Sequence, residues 1–123
     1  MSTDVVGPAS LVEQLYSELD QKVRVLRPKD DFTQLEKAYR VASEAHKDQK
    51  RVSGEPYMVH PLNVTLILAD MQMDLVCLET GLLHDTVEDT RVSLDQIRKD
   101  FGEEVARCVD GVTKLSKLHL YSR

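Results

Sequence analysis

The stretch that decides the fold is Leu82-Leu83-His84-Asp85-Thr86-Val87-Glu88-Asp89-Thr90. A histidine and an aspartate adjoin there at the end of an apolar run, and each is followed four residues later by another carboxylate. If the stretch is helical, residues four apart share a face, so His84 should lie beneath Glu88. By the same spacing, Asp85 should lie beneath Asp89. An imidazole and up to three carboxylates in one small volume are costly without a counter-charge, which a divalent cation can supply.

The same residues can also be interpreted as solvated carboxylates near the end of a helix. A second histidine upstream, His60, strengthens the interpretation as a metal site. His60 precedes Pro61, a good first helical residue because its missing N–H is not needed there. His60 is therefore expected at or just before a helix N-terminus, a position that is held in place and suits a ligand.

The composition is that of one ordinary domain or part of one. The chain has 123 residues, 41% of them hydrophobic, and a net charge of −5 with acidic and basic residues interspersed. No basic block predicts binding to DNA or RNA, although a local basic cluster could bind an anionic small molecule. The N-terminus has no positively charged region followed by an apolar stretch, so we expect no signal peptide. No apolar run approaches the ~20 residues that span a bilayer, so we expect a cytoplasmic protein that binds no membrane.

Cys77 and Cys108 fall on apolar periodic faces and form no CxxC pair. We interpret them as buried free thiols, and the alternative of a disulfide has no support in the sequence.

Apolar residues recur at three- and four-residue spacing along most of the chain, which predicts an all-α fold of about six helices. Residues 1–10 are small and polar and are expected to form a flexible N-terminus, and residues 11–123 the domain. Asp74 is a plausible N-cap, Ser93 with Gln96 forms a capping-box pattern, and Gly102 is placed to end a helix. The predicted helices span residues 11–26, 32–48, 61–71, 75 to the His84-Asp85 pair, 94–101 and 105–115.

A loop is predicted at residues 49–57, since Gly54 and Pro56 cannot both sit comfortably inside a helix. Basic residues at Lys47, Lys50 and Arg51 make two interpretations possible, an ordinary turn with solvated cations or an anion-binding loop. His46, just before the loop, is either a structural histidine or a hydrogen-bonding neighbour of the metal site.

These residues together resemble a known family. His60 followed by His84-Asp85 in an all-α chain resembles the HD-domain metal phosphohydrolases. The strings Arg51-Val52-Ser53-Gly54-Glu55-Pro56-Tyr57 and Leu83 to Thr90 are more specific. They resemble the N-terminal hydrolase domain of RelA/SpoT homologues, the long bifunctional enzymes of the stringent response, and Val112-Thr113-Lys114-Leu115 continues the likeness.

The resemblance implies that the chain is an enzyme, a guanosine-3′,5′-bis(diphosphate) 3′-pyrophosphohydrolase. Such a hydrolase removes pyrophosphate from guanosine tetra- or pentaphosphate and releases GDP or GTP, using one divalent metal, usually Mn²⁺. Carried over by position, the resemblance makes His60, His84 and Asp85 the metal ligands. It makes Glu88 and Asp89 the catalytic carboxylates that position or deprotonate water. It also places Arg51 and Ser53 against the nucleotide.

Two departures from the family pattern concern recognition and completeness. Some relatives carry lysine at the position of Val52, so we expect base recognition to differ between them and this chain. The family's fourth ligand is an aspartate in a later Asp-Arg-Leu-His segment, which this sequence lacks. The resemblance therefore implies a helical bundle that holds only the N-terminal portion of the hydrolase domain, with impaired activity. It also implies downstream synthetase and regulatory domains as partners, and an exposed face that favours self-association.

Two alternatives stay open at this point. The chain could be a non-catalytic regulatory module of a guanosine tetraphosphate synthetase, or an HD phosphohydrolase for another nucleotide. The intact His84-Asp85 and Glu88-Asp89 pairs favour a hydrolase over the first alternative, and the Arg51–Pro61 string argues against the second.

Overall fold

A computed structural model describes the backbone of residues 8–121 and the side chains of residues 11–115. Its helices are α1 (Pro8–Leu26), α2 (Thr33–Ala45), α3 (Val59–Asp70), α4 (Leu75–Leu83), α5 (Thr86–Asp89), α6 (Leu94–Phe101) and α7 (Glu103–Tyr121). Within residues 8–121 no strand forms, and the predicted all-α class is confirmed. The structure has one helix more than predicted within these residues, and the additional helix is α5, a single turn. None of the helices described is long and apolar enough to cross a membrane.

Helix α4 is the centre of the packing and contacts α2, α3 and α7. Its side chains are buried nearly all round, as its continuous apolar sequence predicts. Each fully buried aliphatic side chain contributes roughly 1.5–3 kcal/mol through removal from water. The largest fully buried apolar side chains are Leu19, Val23, Leu35, Leu62, Leu78, Leu82, Leu83, Ile97, Val105 and Val109.

Helices α3 and α4 approach each other closely at Gly81. A Cβ atom placed on Gly81 would lie 2.6 Å from Thr65 Oγ1 and 3.0 Å from Leu68 Cδ1. Thr65 is fully buried, and its hydroxyl donates to the Pro61 carbonyl one turn earlier. Only glycine allows the two helices this separation, which brings the start of α3 beside the end of α4.

The predicted helix-capping residues are confirmed. Asp74 accepts a hydrogen bond from the Cys77 N–H at 2.9 Å, and the Ser93 hydroxyl accepts one from the Gln96 N–H at 3.1 Å. Gly102 ends α6 with a φ of 101°, a conformation that residues with a Cβ atom rarely adopt. Short polar signals therefore set several of the helix boundaries.

Several helix boundaries differ from the prediction, and α2, for example, ends at Ala45 rather than near residue 48. Helix α1 begins at Pro8, while residues 1–7 of the predicted flexible N-terminus lie outside the described residues. Helix α3 begins at Val59, so His60 lies inside its first turn, where a following proline is still tolerated. Helix α4 ends at Leu83, so His84 and Asp85 occupy the turn after the helix rather than its C-terminal half.

The cysteines are free, as predicted, but they are not both buried. Cys77 is partly buried and Cys108 is exposed. The expectation of a buried thiol at Cys108 was wrong because its position on α7 faces solvent rather than α4.

Candidate metal centre

Three predicted ligand side chains converge at the junction of α3 and α4. His60 comes from the first turn of α3, and His84 and Asp85 come from the turn that follows α4. One ligand atom from each residue lies within 4.8 Å of the other two. Asp85 Oδ2 lies 3.5 Å from His60 Nε2 and 3.2 Å from His84 Nε2. One carboxylate oxygen therefore faces both imidazoles.

The orientation of His84 follows from the end of α4. Its Nδ1 lies 2.8 Å from the Gly81 carbonyl oxygen, which can only accept, so Nδ1–H is the donor. In a neutral imidazole this leaves the lone pair on Nε2, the nitrogen that faces Asp85. The buried Thr86 hydroxyl donates to the Leu83 carbonyl at 2.8 Å, and this second hydrogen bond stabilises the same turn.

The surroundings of His60 favour its uncharged form. Partial burial is the largest cause that lowers its pKa, and the nearby His84 and Arg51 lower it further. Asp85 acts in the opposite direction without reversing the result. A neutral imidazole is the form that ligates a metal, so the site disfavours the proton that would compete with a cation.

The donor set fits a divalent transition metal. Two imidazole nitrogens and one carboxylate oxygen suit Mn²⁺, Fe²⁺, Co²⁺ or Zn²⁺ better than Ca²⁺ or Mg²⁺, which prefer oxygen alone. His84 and Asp85 are mostly buried, while His60 is more exposed. Three protein ligands with one open side are typical of catalytic rather than structural metal sites.

The two carboxylates after the His-Asp pair occupy different environments. Asp89 lies one helical turn beyond Asp85, and its N–H donates to the Asp85 carbonyl at 2.9 Å. The predicted shared face of these two residues is confirmed, since one hydroxyl contacts both carboxylates. Glu88 is exposed, and among residues 11–115 its carboxylate takes part in no hydrogen bond or ion pair, so the expected contact with His84 is absent there.

The loop at residues 49–57 borders the three ligands. The Arg51 N–H donates to the Glu55 carbonyl at 2.9 Å, and the Gly54 N–H donates to the Arg51 carbonyl at 2.8 Å. These bonds form a tight turn at whose tip Val52 is fully exposed. A cleft of about 860 Å³ lies between the loop and the metal centre. It is lined by Lys50, Arg51, Val52, Ser53, Glu55, Tyr57 and His60.

Two side chains at the site were given no role from the sequence. The Tyr57 hydroxyl lies 2.8 Å from Asp85 Oδ2 and 3.1 Å from Asp89 Oδ2. Gln49 Nε2 donates to the Asp89 carbonyl at 2.6 Å, and Gln49 Oε1 accepts from His46 Nδ1 at 2.8 Å. His46 is thus buried and bonded to Gln49 rather than to a candidate ligand, and its two predicted roles both stay open. The sequence signal for Tyr57 was its place in the family-like string that ends at that residue, and Gln49 was marked only by its position in the loop before His60.

The comparisons with known proteins identify the class. The HD domain family matches residues 38–123, well over half of the chain. The chain therefore belongs to the HD domain family, as the convergence of His60, His84 and Asp85 on an all-α scaffold also indicates.

Within this class, the similarity is to RelA/SpoT homologues. The chain is 50% identical over 106 residues to a GTP pyrophosphokinase of Streptomyces coelicolor, covering 81% of this chain and 12% of that protein. It is 44% identical over 104 residues to the bifunctional (p)ppGpp synthase/hydrolase SpoT of Escherichia coli, covering 85% of this chain and 15% of that protein. It is 49% identical over 85 residues to a guanosine-3′,5′-bis(diphosphate) 3′-pyrophosphohydrolase of Aquifex aeolicus, covering 69% of this chain and 12% of that protein.

The resemblance predicted from the sequence is confirmed by these similarities. The chain spans about one-seventh of the length of the curated relatives it matches.

Proposed function

We propose that the chain carries a metal-dependent phosphohydrolase centre that removes pyrophosphate from the 3′ position of guanosine tetra- or pentaphosphate. The observation that carries this proposal is the approach of one oxygen of Asp85 to both His60 Nε2 and His84 Nε2, beside a basic loop. The name of the Aquifex aeolicus relative describes the same reaction.

The donor set supports Mn²⁺ as the cation, which when bound would lower the pKa of water and polarise a phosphoryl oxygen. Asp89 would accept a proton from the attacking water, because its carboxylate lies beside Asp85 and is exposed to solvent. Glu88, exposed on the same turn, would help to position that water. Both residues lie on α5, which directly follows the candidate ligands His84 and Asp85.

The basic loop would bind the substrate. Arg51 can form bidentate hydrogen bonds to a phosphate or stack on a base, and Ser53 can donate to a phosphate oxygen. Both line the cleft that His60 also lines. Lys47 is less suited to this role, since its ammonium group pairs with Glu44 at 2.9 Å.

A regulatory, non-catalytic role is the second candidate, because two relatives from Streptomyces are named for synthesis rather than hydrolysis. In either role we propose that the chain works beside synthetase and regulatory domains. Self-association is supported by the exposed Val112 and Leu115 on α7. A pure scaffold has no need of a cation, so Mn²⁺ binding separates the two candidates.

Release of pyrophosphate from guanosine 3′,5′-bis(diphosphate) in the presence of Mn²⁺ tests the proposal. We would assay this chain and a version extended after Arg123 with the segment that follows in the Escherichia coli relative, which could add a fourth ligand. His84→Ala should abolish release, whereas Arg107→Ala, an exposed change on α7, should not alter it. No release from either protein, or release that His84→Ala leaves unchanged, overturns the proposed hydrolysis.

A panel of nucleotides addresses the remaining alternative. We expect hydrolysis of nucleotides that carry a 3′-diphosphate and little of those that do not. A preference for a nucleotide without that group would assign the centre to another phosphohydrolase reaction.

A further inference from the structure

One hydroxyl group lies between two carboxylates at the edge of the metal centre. The Tyr57 oxygen is 2.8 Å from Asp85 Oδ2 and 3.1 Å from Asp89 Oδ2. A phenol carries a single proton, so it can donate fully to only one of these oxygens. The shorter distance identifies Asp85 as the stronger acceptor.

The acceptor atom on Asp85 is the one that matters for metal binding. The same Oδ2 atom faces His60 Nε2 and His84 Nε2. A carboxylate rotates easily about its last bond, because that torsion has no steep minimum. The Tyr57 hydroxyl holds the carboxylate with this oxygen directed towards the two imidazoles.

The ring of Tyr57 is itself held in place. It stacks on the buried His46 ring, with centroids 4.6 Å apart and planes inclined by 25°. The backbone N–H of Tyr57 donates to the Gln49 carbonyl at 3.0 Å, and this bond closes the base of the basic loop. The side chain of Gln49 in turn donates to the Asp89 carbonyl. The loop is therefore joined to the segment that carries Asp85 and Asp89 through two residues, Tyr57 and Gln49.

We propose that Tyr57 is a positioning residue whose hydroxyl orients Asp85 as a metal ligand and holds Asp89 beside it. This inference rests on the proposed metal site and adds the group that organises its carboxylates. The same residue would tie the loop that carries Arg51 to the ligand Asp85, since the Tyr57 backbone closes the loop and its side chain contacts Asp85.

The test is Mn²⁺ binding by the 123-residue chain, measured by calorimetry and by the electron paramagnetic resonance spectrum of the bound ion. Tyr57→Phe removes the hydroxyl and keeps the ring, its stacking and the backbone bonds. Loss of such a hydrogen bond to a ligand typically weakens metal affinity ~10–100-fold. We expect Tyr57→Phe to lose Mn²⁺ affinity by this factor and to alter the electron paramagnetic resonance spectrum of the bound ion. The far-ultraviolet circular dichroism spectrum should stay unchanged.

Tyr16→Phe is the matched control. The Tyr16 hydroxyl is buried and has no hydrogen-bond partner among the described side chains, and its ring stacks on Tyr39, away from the centre. This change should leave Mn²⁺ affinity unaltered. If Tyr57→Phe binds Mn²⁺ as tightly as the unchanged chain, the positioning role is overturned and the metal site stands. If the unchanged chain binds no Mn²⁺, the metal site and this inference fail together.

A second measurement needs no change at Tyr57. The chain is labelled with ¹³C at the tyrosine Cζ atoms and titrated with Zn²⁺, a diamagnetic ion that the same ligands can bind. Bound Zn²⁺ should shift the Tyr57 resonance and leave the Tyr16 resonance in place. A Tyr57 resonance unmoved by bound Zn²⁺ contradicts the proposal, even if Tyr57→Phe does not fold.

Discussion

Replacing Glu79 by glutamine should stabilise the protein above neutral pH. Glu79 lies on α4, is only 4% exposed, and its Oε1 accepts a hydrogen bond from Gln34 Nε2 at 3.3 Å. Burial raises its pKa to about 7 from an ordinary value of 4.5, and the repulsion from Asp74 adds to this rise. The Gln34 hydrogen bond opposes the rise but does not cancel it.

The sign of the effect follows from proton binding. Between pH 4.5 and about 7 the folded protein holds a proton on Glu79 that the unfolded chain has released. Stability therefore falls as the pH rises through this interval. Each pKa unit corresponds to about 1.4 kcal/mol, so the loss approaches about 3 kcal/mol above pH 7. Glutamine is neutral at every pH and keeps an acceptor for Gln34, so it avoids this loss.

The measurement is urea unfolding of the two proteins at pH 5 and pH 8 at constant ionic strength. The difference in unfolding free energy should be small at pH 5 and reach about 3 kcal/mol in favour of Glu79→Gln at pH 8, equivalent to roughly 10 °C in melting temperature. Glu18→Gln, an exposed change on α1, is the control and should give a nearly constant difference. A difference that is the same at both pH values for Glu79→Gln would refute this reasoning.

Three further predictions concern the packing, a helix cap and the metal centre. Gly81→Ala should destabilise the protein by ~1–3 kcal/mol in urea unfolding, because its Cβ would meet Thr65 Oγ1 at 2.6 Å. Gly111→Ala, which meets nothing within 4 Å in α7, should instead stabilise by up to ~1 kcal/mol, and the opposite order would contradict the packing argument. Asp74→Ala should cost ~1 kcal/mol through loss of the α4 cap, and an unchanged denaturation midpoint would argue against it. Mn²⁺ should raise the melting temperature of the chain, chelation should reverse the rise, and His60→Ala should remove it; a rise that survives His60→Ala would place the cation elsewhere.

Local signals predicted the helices well because they act within one turn. Asp74 and Ser93 were recognised as caps since a side-chain oxygen can reach an N–H group two or three residues ahead in any sequence context. The end of α4 was predicted less well. The hydrogen bonds of His84 to Gly81 and of Thr86 to Leu83 accompany the end of the helix, and an apolar pattern does not reveal such bonds.

The partners of the candidate ligands could not be derived from spacing. The Tyr57 hydroxyl reaches Asp85 across 28 residues, and Gln49 reaches the Asp89 backbone across 40. Such bonds depend on how the loop folds back over the start of α3, which the tertiary structure determines. The sequence predicted His60 and His84 as a pair because histidine is uncommon and its chemistry is specific, whereas tyrosine and glutamine occur in many loops without a role.

The geometry of the candidate centre depends on the core as much as on its ligands. His60 stands where α3 begins and His84 where α4 ends, so their separation is set by how closely the two helices pack. That packing is limited by Gly81, whose carbonyl also accepts from His84 Nδ1, against the buried Thr65. Because a packed core deforms little, it can hold ligands from two helices to within a fraction of an ångström. The polar loop is then tied to the ligands through the Tyr57 hydroxyl and to the backbone of α5 through Gln49.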